Sequence, residues 1–327
     1  MVVSIKEIED AALRIQGIAV ETPISQCHYL NEALQAEIFF KLENQQHIGA
    51  FKFRGAYNRL CQLTDAEKAK GVVAFSSGNH AQGIAYAAKL LGMKATIVMP
   101  SDAPSIKRNA TETLGATIIP YDRHTESREQ LAADLAEKTG AVLVPAFDDP
   151  HIIAGQGTCG LELMRQLQAR RQPPDVVISP VGGGGLMAGV STVVKALSPK
   201  TQVIGVEPER FDDHRLSMLK GARVKIDGTS ATLCDSLMAT MPGELTWSIN
   251  STKVDQFIVV SEAEVAHAVS YAFRYLKQVI EPGGAVALAA LLHDKLPVKG
   301  LRLAVILSGG NIDNGVFTDC LNRFPNP

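Results

Sequence analysis

The chain has 327 residues, with 32 Lys plus Arg against 34 Asp plus Glu and a formal net charge of −2. Hydrophobic residues make up 46% of it and charged residues 20%, values of a globular protein that buries a core, and the length suggests roughly two domains of about 150 residues. The balanced charge, with no basic run, argues against a nucleic-acid binder or a polybasic membrane protein, and the hydrophobicity argues against disorder.

The N-terminus, MVVSIKEIEDAALRI, carries acids early and reads as an amphipathic helix, not a signal peptide. No apolar stretch approaches the roughly 18–20 residues of a spanning helix. Cys27, Cys61, Cys159, Cys234 and Cys320 include no C-x-x-C pair, which fits free thiols in a reducing compartment better than a disulfide framework or a cysteine zinc site. A cytoplasmic protein with no membrane and no nucleic-acid partner is expected.

From residue 37 the pattern alternates. EIFFKL, GVVAF, KATIVMP, ATIIPY, AVLVP, DVVISP, QVIGVEP, QFIVV and LRLAVIL are strand candidates. Between them lie helical runs such as AQGIAYAAKLLG, APSIKRNATETLG, REQLAADLAEKTG and HAVSYAFRYLKQ. Apolar strands that alternate with amphipathic helices indicate doubly wound parallel sheets, and glycines before the next strand, as in LLGMKATIV, are expected C-caps. Nine strands in one open sheet would split or curl, so two α/β domains with a cleft between them are expected.

Four motifs fall where predicted strands end, the place where open α/β sheets bind ligands. In PVGGGGLMAG, Gly182, Gly183, Gly184 and Gly185 follow a strand and open a helix. Backbone N–H groups there can converge on one phosphate. A flexible turn is the bland reading. A dinucleotide fingerprint is the rival, with Glu207 at the end of the next strand, but it requires G-x-G-x-x-G spacing. In GAFKFRGAYN, Lys52 stands between Phe51 and Phe53. Such a lysine is ordinarily a snorkelling surface residue, but buried beside a phosphate cradle its amine loses its proton more easily and can add to an aldehyde. In FSSGNHAQG, Ser76, Ser77, Gly78, Asn79 and His80 open a helix, either as N-caps or as N–H donors to a carboxylate. LSGGNID places Ser308 after the last strand.

GAFKFRGAYN, SSGNHAQG, VGGGG and SGGNID, in that order, together resemble the fold-type II pyridoxal-phosphate enzymes. Within them the chain is similar to the threonine/serine dehydratase and serine racemase family over its whole length. DAP at 102–104, YDR at 121–123 and IAGQGT at 153–158 are further matches. The resemblance implies a tryptophan synthase β-like fold. Residues 1–70 plus 149–327 would form the large cofactor-binding domain, and 71–148 a smaller domain inserted in it that closes over the substrate.

It also implies that Lys52 and Phe51 contact pyridoxal 5'-phosphate, with Lys52 bound covalently to it and later moving the α-proton. Gly182–Gly185 would bind its phosphate, Asn79 its ring hydroxyl and Ser308 its pyridine nitrogen. The loop Ser76–His80 would take the substrate α-carboxylate. Ser77 matches a racemase residue and would be a second acid/base. Arg128 would lie near the substrate side chain, where its fork suits a β-carboxylate. Glu207, Asp213 and the carbonyl of Phe211 match a Mg²⁺ or Ca²⁺ site.

The activity implied is an ammonia-lyase of the serine/threonine dehydratase type. It would eliminate water from L-serine, L-threonine or threo-3-hydroxyaspartate to give a 2-oxo acid and ammonia, as a homodimer acting on a small amino acid. Serine racemase with side dehydratase activity is the alternative within the fold. A non-catalytic pyridoxal-phosphate binder and a nicotinamide oxidoreductase are the alternatives outside it. Ser236 in place of a family glycine, Ala239 in place of a racemase Ser, and Phe147 in place of Asn weigh against true racemase activity. At 327 residues, no regulatory domain for isoleucine feedback is expected.

Overall fold

The computed structural model describes residues 3–103, 105–122 and 125–326. Pro104 and Arg123, which belong to two of the shorter matches, lie outside the described residues. Ten strands form two sheets: β1 (Ile24–Ser25), β2 (Glu37–Leu42), β3 (Val72–Phe75), β4 (Ala95–Pro100), β5 (Thr117–Tyr121), β6 (Val142–Leu143), β7 (Val176–Pro180), β8 (Gln202–Pro208), β9 (Gln256–Val260) and β10 (Arg302–Leu307). The larger sheet has the order β1-β2-β10-β7-β8-β9 and the smaller β5-β4-β3-β6. All pairings are parallel except that of β1 with β2. The chain leaves the large sheet after β2, builds the small sheet and returns at β7, so the smaller unit is an insertion in the larger.

The strands of the large sheet are apolar because helices cover both of its faces. On one face, Ile38, Phe40, Ile178 and Val305 pack against Val265 and Val269 of the helix Glu262–Tyr271 and Leu288 of Pro282–Leu292. On the other, Phe39, Val177 and Ile306 pack with Ile8, Ile153 and Val190, from the helices Ile5–Ile15, Pro150–Ala169 and Gly185–Leu197. The predicted N-terminal helix is present, and its Ser4–Glu7 capping box fixes where it starts.

The helix Lys52–Leu60 links the two sheets. Its Phe53, Ala56 and Leu60 enter the core of the small sheet with Val72, Ile84 and Ile97. Its other side lies on Pro150–Ala169 so closely that a Cβ on Gly155 would stand 2.6 Å from the Cα of Gly55. Two residues on, and so on another side of the same helix, a Cβ on Gly189 would stand 2.5 Å from the Cα of Gly157. The glycines of IAGQGT therefore let one central helix touch both the lysine helix and the glycine-loop helix. Among the described residues, no helix is long and apolar enough to cross a membrane.

Candidate active site

One cleft is lined by Lys52, Ser77, Asn79, Arg128, Gly182–Gly185 and Ser308 together. The four motifs thus meet in space. Strand β7 ends at Pro180 and the helix Gly185–Leu197 begins with Gly184 at φ 91 and no side-chain cap. This left-handed residue at a close turn explains a glycine there. The first N–H groups of the helix have no partner within it, which leaves an anion-binding end.

Lys52 opens its helix directly after Phe51, and its Nζ donates to the carbonyl of Ala146 at 2.8 Å. The snorkelling alternative fails, because the amine turns into the cleft. Burial lowers its pKa to about 8, against a smaller upward pull from Glu281. The N–H of Phe51 donates to the carbonyl of Ser308 at 3.1 Å, and an isolated bridge joins Ala50 to Gly309. These bonds hold Ser308, which is buried, beside the lysine segment.

The loop after β3 is not an ordinary capped helix start. Asn79 is the first residue of the helix Asn79–Leu90, and Gly78 before it offers no side chain. Ser76 Oγ accepts the N–H of Gly78 at 3.1 Å. Both ends of the buried Asn79 amide are engaged: Nδ2 donates to Glu281 Oε1 at 2.6 Å, and Oδ1 accepts from Asn311 Nδ2 at 2.8 Å. One N–H of Asn79 is left for a ligand. His80 is buried with Nε2 at 3.0 Å from the carbonyl of Val144, and burial with the nearby Lys52 charge lowers its pKa to about 3. It is a neutral packing residue that also borders the cleft.

Arg128 begins the helix Arg128–Thr139 at the mouth of the cleft, half exposed, 5.5 Å above the Phe75 ring and paired with Glu129 at 2.8 Å. Phe147 packs its ring against Gly183 and its backbone and Cβ against Gly185, a place that an Asn side chain would fill differently. Ser236 directs its hydroxyl at the Cα of Gly283, so these two positions exchange bulk for a missing Cβ. Ala239 also borders the cleft.

Glu207 and Asp213 are brought together behind the glycine loop, with Phe211 buried between them in sequence. A histidine that the sequence did not mark as a ligand joins them. His214 Nδ1 lies 3.6 Å from Glu207 Oε1 and 3.5 Å from Asp213 Oδ2. Burial pushes both carboxyls up, while the two carboxyls together hold His214 up at about 9. Both Asp213 oxygens and His214 Nδ1 are buried without a hydrogen-bond partner.

Residues 15–309 match the family described as pyridoxal-phosphate dependent enzyme. The chain belongs to that family. It is 41% identical to an L-threonine ammonia-lyase of Thermotoga maritima over 98% of this chain and 79% of the relative. It is 43% identical to an L-threo-3-hydroxyaspartate ammonia-lyase of a Pseudomonas species, over 95% and 96% of the two chains. The solved structure of maize serine racemase superposes with a TM-score of 0.92 at 36% identity, covering 99% of this chain and 98% of the other. This pyridoxal-phosphate dependent enzyme therefore has the expected fold-type II architecture.

Sequence reasoning did not single out Glu281 or Lys107 of this enzyme. Glu281 contacts Asn79 from 202 positions away, and burial raises its carboxyl to about 7. The signal available was an acid set between VI and PGG, an apolar strand-like run and a helix start. Lys107 reaches across the cleft mouth to pair with Asp235, a contact between distant segments that no local pattern announces.

Proposed function

We propose that the chain is an ammonia-lyase that eliminates water from a β-hydroxy amino acid, giving a 2-oxo acid and ammonia. L-Serine, L-threonine and threo-3-hydroxyaspartate are the substrates. The observation that carries this reading is Lys52, an amine of lowered pKa in a cleft that also holds an uncapped four-glycine helix start. The fit to pyridoxal phosphate is good: an amine for its aldehyde, free N–H groups for its phosphate, and Ser308 and Asn79 for its ring.

Pyridoxal phosphate, when bound, withdraws electrons from the substrate α-carbon, so that the α-proton becomes acidic and the β-hydroxyl can leave. The chain supplies the rest. Gly182–Gly185 hold the phosphate at the helix start. Lys52, partly neutral because burial disfavours its ammonium, takes the α-proton. Ser308 offers the ring nitrogen a neutral hydroxyl in place of a carboxylate, which disfavours prolonged storage of charge and favours prompt loss of the β-hydroxyl. The remaining N–H of Asn79 donates to the ring hydroxyl, its orientation held by Glu281 and Asn311. The Ser76–His80 turn takes the α-carboxylate, and Arg128, poised at the mouth, takes a β-carboxylate where one is present.

A racemase reading is retained because Ser77 borders the same cleft as Lys52 and could serve as a second acid/base. A divalent cation, Mg²⁺ or Ca²⁺, on Glu207, Asp213 and the Phe211 carbonyl would satisfy the orphaned carboxylate oxygens. Residues 71–148 would close as a unit over the substrate, with the Lys107–Asp235 pair at the seam. Exposed Tyr29 and Tyr275, their rings 6.3 Å apart, support a homodimer. Five free cysteines, four of them buried, support a cytoplasmic location.

The test is a substrate panel with the purified protein and cofactor: L- and D-serine, L-threonine and both threo-3-hydroxyaspartates, assayed for 2-oxo acid and for the enantiomer. The reading predicts 2-oxo acid from at least one β-hydroxy amino acid. Enantiomer without 2-oxo acid would favour the racemase, and no reaction with any member would overturn the proposal.

A further inference from the structure

Four consecutive glycines can adopt many conformations, so their sequence does not decide which way the peptide units face. Here the Gly184 carbonyl accepts the N–H of Ala188 at 2.8 Å in the first turn of its own helix, and two side chains of another helix add to that. Thr246 Oγ1 donates to the carbonyl of Gly183 at 2.8 Å, and Asn250 Nδ2 donates to the carbonyl of Gly184 at 3.2 Å. Both residues are fully buried and stand four apart on the helix Glu244–Lys253, hence on one face of it.

The helix is itself anchored at its start. Gly243 supplies no side-chain cap, but the Asp148 carboxylate accepts the N–H groups of Glu244, Leu245 and Thr246 at 2.9, 2.9 and 3.1 Å. Asp148 adjoins Phe147, whose ring packs on Gly183. The Asn250 amide also lies 3.3 Å from His214 Nε2.

The consequence follows from peptide geometry. In a planar trans peptide the C=O and the following N–H point in opposite directions. Pinning the Gly183 and Gly184 carbonyls towards this helix therefore turns the N–H groups of Gly184 and Gly185 the other way. We propose that Thr246 and Asn250 are positioning residues for the cofactor phosphate: they preset two glycine amides so that a phosphate dianion need not order the loop on binding. This rests on the reading of the loop as the pyridoxal-phosphate site.

The experiment compares pyridoxal 5'-phosphate with pyridoxal, which lacks the phosphate, as ligands of the apoprotein, following the visible band in wild type, Thr246→Val, Thr246→Ser and Asn250→Leu. Thr246→Val and Asn250→Leu should each weaken pyridoxal-phosphate binding about ten-fold, the size of one lost orienting hydrogen bond, and leave pyridoxal binding within about two-fold. Thr246→Ser, which keeps the hydroxyl, should restore the phosphate preference. Should Thr246→Val fail to fold, Thr246→Ala reads the same ratio. Folded variants that lose both ligands equally, or neither, would overturn the inference. Absence of any band in the wild type would instead overturn the cofactor reading beneath it.

Discussion

Two clusters of buried charge, around Arg54 and around His214, are finished differently. Around Arg54, every charge has partners. Its guanidinium donates to Glu43 at 2.7 and 2.9 Å and to Glu162 at 2.6 and 2.8 Å. Lys41 Nζ uses three donors, on Thr22 O at 2.7 Å, Glu162 at 2.9 Å and Gln166 at 3.1 Å. The Arg54 charge and its hydrogen bonds outweigh burial and keep Glu43 below the usual carboxylate range. Around His214, Asp213 has two orphaned oxygens, and burial dominates instead. A satisfied cluster is scaffold, here clamping the lysine helix to β2 and to Pro150–Ala169. An unsatisfied one has polar atoms left over that a ligand would satisfy.

The largest expected effect breaks the satisfied cluster. Arg54→Met leaves Glu43 buried without its main partner, and Glu162 with Lys41 alone, and should cost about 3–5 kcal/mol in denaturant unfolding. Asp213→Asn removes a charge that faces His214 at 3.5 Å but makes no hydrogen bond, so it should cost less, about 1–2 kcal/mol. What it should lose is any rise in melting temperature on adding Mg²⁺ or Ca²⁺. Equal stability losses in the two variants would erase the distinction.

Lys52 sharpens the comparison, because unlike Lys41 it has one protein partner and is left reactive. With its pKa lowered to about 8, the neutral amine that captures an aldehyde grows as pH rises through 8 and is then complete. The rate at which apoprotein gains its visible band should follow that curve. A rate still climbing towards pH 10 would mean an ordinary, solvated lysine.

The smallest effect lies at the cleft mouth. Arg128→Ala should not alter stability by more than about 0.5 kcal/mol, since the side chain is half exposed. It should lower kcat/KM for threo-3-hydroxyaspartate about 10- to 100-fold relative to L-serine, as for a lost hydrogen bond to a charged group. Parallel losses on both substrates would return Arg128 to the surface.

The nine strands from residue 37 onward were legible because each lies in an apolar run ended by turn residues, even where, as in β5 and β6, the strand is not fully buried. Strand β1 was not, since Ile24–Ser25 lies in no such run. Lys52, the glycine loop and Ser308 were legible because they fall at strand ends, where chain order itself brings them together. Glu281, Thr246 and Asn250 were not: each acts through a contact with a segment far away in sequence, and a buried Glu or Asn looks like a surface one until its partner is known. His214 was visible beside Asp213, but its role needs the fold that returns Glu207 to it.

The central claim is that Lys52 is the group that holds the cofactor. Holoprotein reduced with borohydride, digested and mapped by mass spectrometry tests it most directly. The account predicts a phosphopyridoxyl group on the peptide containing Lys52 and on no other lysine. A stoichiometric adduct at Lys41, Lys107 or another site, with Lys52 unmodified, would contradict it.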